Sequence, residues 1–193
     1  MSPELTEKQE AVLDATLELI GERGFHGTPM ADIAKRAGVG AGTIYRYYAS
    51  KEELINALYV REKTRVNAEV LGGVHAGLSV RDAISQIFRN VITARGGNPQ
   101  RWRFLDQYYN SPFIGDDTKR VREQLMAEYV EIIERGVREG VIRDLPRPVL
   151  MAMIFGPIMQ LAMASQTQDV TLDDALLDQT VASVWRSIGT EES

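Results

Sequence analysis

Apolar residues recur along this chain every three to four positions, and no stretch sustains the alternation with period two that a half-buried strand requires. A first helix is predicted over about Glu7 to Arg23. It has Leu13, Leu17 and Ile20 on one face and an acidic stripe of Glu7, Glu10, Asp14, Glu18 and Glu22 on another, read as a solvated face. Gly24 ends it. Short helices follow over about Pro29 to Ala37 and Ala41 to Tyr47, and a fourth runs from after Ser50 to near Leu71, where Gly72-Gly73 breaks the pattern. The remaining apolar periods give helices over Ser79 to Arg95, Pro99 to Asn110, Asp117 to Glu139, Val149 to Ser165 and Thr171 to Ile188. Capping signals mark several starts: Thr6 with Gln9, Ser50 with Glu53, Ser79 with Asp82, Thr171 with Asp174, and Thr28 before Pro29. The expected fold is all-α with about nine helices. Residues 1–50 would form a three-helix head and residues 51–193 a helical bundle.

Composition narrows the function classes. The chain has 193 residues and no Cys, so disulfides, thiolate metal sites and a Cys nucleophile are excluded. The longest apolar stretch, Val149 to Met163, contains Gly156-Pro157 and Gln160 and reads as a buried helix rather than a bilayer span. The segment after Met1 lacks the basic and apolar regions of a signal peptide, so a cytoplasmic protein is expected. His26 and His75 are the only histidines, and no Ser-His-Asp arrangement, Gly-rich phosphate loop or metal-ligand cluster is present. The expectation is a protein that is not an enzyme and needs no cofactor or metal.

The net charge of −5 argues against nucleic acid until its distribution is considered. Between Thr28 and Lys51, four basic residues (Lys35, Arg36, Arg46, Lys51) face one acid, Asp32, a local net of +3 that leaves −8 on the rest of the chain. A positive patch on an acidic body concentrates attraction for phosphate at one place. In this segment Ile33 and Ala34, the break at Gly38-Val39-Gly40, and Ile44 form the apolar skeleton of a helix-turn-helix over residues 29–48. Such a motif lays its second helix in the major groove. Ala41, Gly42 and Thr43 keep that helix's start small enough to approach DNA closely. Ile44 and Tyr48 are expected inward, leaving Tyr45, Arg46 and Tyr47 outward, with Arg46 the candidate for bidentate contact with guanine. Thr28, Lys35 and Lys51 are read as phosphate contacts, which set position rather than sequence.

Phe25, Thr28, Ile33-Ala34, Ala37-Gly38-Val39, Gly42-Thr43-Ile44-Tyr45, Tyr48 and Ser50-Lys51-Glu52-Glu53-Leu54 together resemble the signature of the TetR family of bacterial transcriptional regulators, over about residues 6–66. The resemblance implies a DNA-binding head, a body of about six helices, a homodimer built mostly by the last two helices, and an effector pocket in the body. It usually implies repression relieved by a small-molecule ligand. Its DNA contacts fall on Thr28, Ala41, Gly42, Thr43, Tyr45, Arg46, Tyr47 and Lys51. Ala31 stands where some members carry a base-contacting Arg, and Ala41-Gly42 is poor in side chains, so more of the readout falls on Arg46 and the tyrosines.

In the body, the stretch from Arg101 to Phe113 concentrates aromatic residues in a chain with few of them. Candidate effector contacts are His75, Phe88, Trp102, Tyr108, Tyr109, Phe113, Met126, Tyr129, Phe155 and Met159, with Asp106, Gln107 and Asn110 as further polar groups. The same stripes fit an ordinary core equally well. Pro157 should kink the eighth helix. Ile154, Ile158, Leu161 and Ala162, with Val181, Val184, Trp185 and Ile188, are expected to form a four-helix dimer interface. A two-fold dimer calls for a palindromic operator. A regulator without a small-molecule ligand, controlled by a protein or acting as an activator, would have the same head.

Overall fold

The computed structural model describes residues 6–109, 111–166 and 170–190. Asn110 therefore lies outside the described residues. Among those described there are nine α-helices and no strand, only one isolated bridge between Ile142 and Gly189. The helices are α1 (Glu7–Arg23), α2 (Met30–Arg36), α3 (Ala41–Tyr47), α4 (Lys51–Val70), α5 (Val80–Gly97), α6 (Pro99–Tyr108), α7 (Asp116–Arg138), α8 (Arg147–Gln166) and α9 (Asp174–Ile188). The chain divides into two compact units, residues 1–65 with 98–122 and residues 66–97 with 123–193.

The first unit is built on α1. Thr6 and Gln9 form the reciprocal capping box expected there. Val12, Leu13, Leu19 and Ile20 are buried, and Ile33, Ile44 and Leu54 join them in the core. Phe25 packs edge-on to Phe104 and against Phe113, tying the turn after α1 to α6 and the segment beyond it. The acidic stripe of α1 is not merely solvated. Glu18 and Glu22 take Arg36 of α2 at 2.8 and 3.3 Å, while Glu10 and Asp14 take Arg61 of α4 at 2.7 and 2.8 Å. Arg61 Nε donates to Glu62 Oε1 at 2.7 Å, and Arg101 Nε donates to Glu62 Oε2 at 2.8 Å, with the Glu62 side chain fully buried. This charge cluster locks α1, α4 and α6 together. Its signal in the sequence was only a set of scattered charges.

The second unit places α5, α8 and α9 against one another. Arg89 of α5 pairs with Asp174 at 2.7 Å and also with Asp178, both on α9. Arg135 of α7 donates to the carbonyls of Ala76 and Leu78, holding the loop before α5. Gly136 sits where a Cβ would lie 2.6 Å from Ile142 Cδ1 and 3.0 Å from Val80 Cγ1, so a larger residue there would displace the Ile142 side chain.

α8 carries Pro157 inside it, and Arg147–Ser165 is long and apolar enough by length and composition to cross a membrane, as the core helix of a globular protein also can be; Ile154, Ile158 and Ala162 are buried in this unit. Two expectations are corrected. The cap of α9 is Asp173, which accepts from the Leu176 N–H, rather than Thr171. The N-cap of α2 is Pro29, because the Thr28 hydroxyl instead donates to the Gly24 carbonyl at 2.9 Å.

Candidate nucleic-acid interface

The motif closes around α2 and α3. Gly38 adopts φ +67°, the left-handed conformation that glycine takes at least cost, and the Val39 N–H donates to the Ala34 carbonyl at 3.0 Å. Ala34 is small and buried between the helices, and Ile33, Ile44 and Tyr48 are buried beside it. Salt bridges from Arg23 to Asp32 and from Arg36 to Glu18 and Glu22 brace α2 on α1.

With Ile44 and Tyr48 buried, the other side of α3 is free. Ala41, Gly42, Tyr45 and Arg46 are exposed, Tyr45 at 55%, while Thr43 and Tyr47 are half-buried. Lys35 is exposed on α2. This arrangement brings Lys35, Ala41, Gly42, Thr43, Tyr45, Arg46 and Tyr47 onto the two helices of the motif with their core residues turned away.

Two expected phosphate contacts stand differently. Thr28 is fully buried with its hydroxyl committed to Gly24, so it supports the turn rather than presenting an oxygen to DNA. Lys51 is half-buried, its ammonium donates to the Phe25 carbonyl, and burial lowers its pKa from the usual lysine value. Arg36, counted in the positive patch, is neutralised by α1.

The sequence reading missed a pairing on α3 itself. Arg46 Nη2 donates to Tyr47 Oη at 2.9 Å, with the guanidinium carbon 5.1 Å from the Tyr47 ring centre. Neighbours one apart on a helix normally point apart, but Tyr47 is the last helical residue and both side chains are long.

The helix-turn-helix decides a comparison with known proteins. Residues 12–58 match the profile of bacterial regulatory proteins of the tetR family, and residues 60–190 match the tetracyclin repressor-like C-terminal domain. The chain belongs to the TetR family. Among its TetR-family relatives is the HTH-type transcriptional regulator RutR of Escherichia coli K12, 27% identical over 188 residues, covering 94% of this chain and 88% of that one. A TetR-family structure from Vibrio parahaemolyticus is 27% identical and superposes with a TM-score of 0.86 over 96% of this chain and all of its own. FadR from Bacillus subtilis, solved with stearoyl-CoA, shares the fold at 20% identity and a TM-score of 0.74, covering 91% of this chain and 96% of its own. This TetR-family protein is therefore a DNA-binding transcriptional regulator, and its homologues are regulators rather than enzymes.

The body residues fall into their own units. In the first, Trp102 and Tyr108 are buried. Tyr108 stacks on Tyr59 at 4.1 Å and donates to Asn56 Oδ1 at 2.8 Å. Tyr109 is 40% exposed under Lys63, and Phe113 is half-buried on Phe25. An open cleft of about 460 Å³ in this unit is lined by Phe25, His26, Asp106, Gln107 and Phe113. In the second unit Phe88 is fully buried, and Tyr129 is buried edge-on to Phe155 at 5.5 Å, which pushes its phenol pKa up. Phe155, Met126 and Met159 are half-buried, and His75 is exposed, its Nδ1 accepting from the Gly77 N–H.

The expected dimer residues are corrected. Ile154, Ile158, Ala162, Val181, Val184, Trp185 and Ile188 are all buried inside the second unit and Leu161 is half-buried, because α8 and α9 use these stripes to pack on each other and on α5. The outward line is a different one. On α8 it comprises Val149, Met153, Pro157, Gln160 and Met163, with Val149 and Met163 each 43% exposed. On α9 it comprises Leu176, Gln179, Thr180 and Ser183, which border with Met153 and Pro157 a groove of about 350 Å³ that the edge of the expected dimer residue Val184 also lines.

Proposed function

We propose that this protein is a cytoplasmic, homodimeric repressor that binds a palindromic operator and leaves it when a small apolar or aromatic ligand binds the body. The observation that carries the reading is α3, whose apolar residues Ile44 and Tyr48 are buried while Tyr45 and Arg46 face out beside Lys35. Arg46 is the base reader of this arrangement, Lys35 a phosphate contact, and Ala41, Gly42, Thr43, Tyr45 and Tyr47 complete the surface. Lys51 supports the surface through the Phe25 carbonyl. The dimer forms through the outward faces of α8 and α9, where Met153, Pro157 and Met163 leave apolar surface that a second copy would cover. Recognition helices about 34–36 Å apart would then meet successive major grooves.

FadR's stearoyl-CoA supports a ligand-binding role for a body of this fold. Most of the aromatic candidates here are packed as core within their own units, which favours a second reading, a regulator controlled without a small-molecule ligand. The two differ in whether any compound binds the DNA-free form more tightly than the DNA-bound form.

The test uses duplexes selected from a randomised library by the parent protein, read by fluorescence anisotropy. Arg46→Ala is expected to weaken binding and relax base preference at one position of each half-site. Lys35→Ala is expected to weaken all duplexes alike and reduce the salt slope by about one. Parent-like binding by both variants would overturn the assignment of α3.

A further inference from the structure

Arg46 does not stand free on the recognition helix. Its Nη2 donates to Tyr47 Oη at 2.9 Å, and its guanidinium lies 5.1 Å from the same ring's centre. The Tyr47 ring is itself braced, meeting the Tyr48 ring edge-on at 6.4 Å, and Tyr48 is anchored in the core with 4% exposure. A chain of support thus runs from the buried Tyr48 through Tyr47 to the one long basic side chain of α3. The phenol pKa is lowered, chiefly by the hydrogen bond from Arg46.

A guanidinium has five donors in a planar fork, and one bond to Tyr47 leaves enough of them for a two-acceptor edge. The bond fixes where the fork points. A fixed fork matches the paired O6 and N7 acceptors of guanine, whereas an untethered arginine spreads over phosphates and bases alike. We propose that Tyr47 is a positioning residue: it holds Arg46 in the orientation that reads a base, and so sets sequence discrimination rather than general attraction for DNA. This inference rests on Arg46 being the base reader. It separates Tyr47 from residues that contact phosphate directly, since losing a phosphate contact weakens every sequence equally.

The experiment measures the affinity of the full chain for the selected operator duplex, for the same duplex with each guanine of the half-site replaced in turn, and for an unrelated duplex. Tyr47→Phe keeps the ring and its brace and removes only the hydroxyl. It is expected to lower operator affinity about five-fold, narrow discrimination at the position read by Arg46 by a similar factor, and weaken the unrelated duplex by clearly less than the operator. Arg46→Ala removes discrimination at that position, and Arg46→Ala/Tyr47→Phe is expected to be no worse than Arg46→Ala, because the hydroxyl acts only through the guanidinium. Equal loss on operator and unrelated duplexes in Tyr47→Phe would make Tyr47 a phosphate contact and overturn the proposal. So would additive loss in the double variant, or parent-like discrimination in Tyr47→Phe. If Arg46→Ala itself keeps full discrimination, the reading of Arg46 fails first, and that result is distinct from the others. A far-ultraviolet spectrum and melting temperature equal to the parent's identify variants whose head has stayed folded.

Discussion

Replacing Glu62 with Gln is the sharpest perturbation of the first unit. The carboxylate is fully buried and accepts from Arg61 Nε at 2.7 Å and Arg101 Nε at 2.8 Å, with Arg65 a further 3.5 Å away. The amide keeps the shape and one oxygen but removes the charge opposite two side chains that are 5% and 11% exposed. Removing one partner of a buried ion pair costs about 3–5 kcal/mol. Arg61 retains Glu10 and Asp14, which puts the expected loss near the lower end, about 3 kcal/mol. For a chain of this length that corresponds to a fall in melting temperature of about 6–12 °C. Circular dichroism melts at 222 nm would measure it, with Asp14→Asn as the control. The Asp14 side chain is 60% exposed, so breaking its pair should cost about 0–1 kcal/mol and depend on salt. Equal shifts in the two variants, or a Glu62→Gln loss that vanishes as salt rises, would refute the argument that burial makes Glu62 the node of the cluster.

Two further outcomes test packing and assembly. Gly136→Ala should cost about 1–3 kcal/mol in urea denaturation, and Ile142→Val in the same chain should return part of it by removing the Cδ1 atom that the new Cβ would strike at 2.6 Å, the Cγ1 contact at 2.9 Å remaining. Met153→Arg, on the outward face of α8, should convert the proposed dimer to monomer in sedimentation analysis with the helical content unchanged. Ile158→Ala, fully buried in the second unit, should cost about 2–5 kcal/mol of stability, as usual for a core truncation, lowering the melting temperature, and leave the sedimenting mass of the assembly as in the parent.

Helix existence was legible because apolar period and punctuation agreed: α1 and α3 begin and end where the sequence predicts, at Glu7–Arg23 and Ala41–Tyr47. The inward turn of Ile44 and Tyr48 was equally legible, since a two-helix motif leaves only one side for them. What the sequence could not supply was the partner of each face. The stripe of Val181, Val184 and Ile188 has the same period whether it meets α5 of its own unit or a second subunit, and here it meets its own. Charge counting failed for the same reason. Arg36 adds to a local positive sum, yet its guanidinium is spent on Glu18 and Glu22, fourteen or more positions away. Thr28 carried a strong N-cap signal, but a carbonyl four residues back competed for its hydroxyl and won.

The first unit is discontinuous: residues 1–65 are completed only by residues 98–122. During synthesis the head therefore emerges before the pieces that finish it. Phe25 waits for Phe104 and Phe113, and the buried Glu62 waits for Arg101. Until α6 leaves the ribosome, a nascent chain ending near residue 65 exposes an apolar ring and a half-neutralised carboxylate. The intervening segment 66–97 must form a closed loop before those contacts can reward it. Completion of the unit that carries the helix-turn-helix is then a late event in the life of each molecule, although the motif itself is among the first parts to be made.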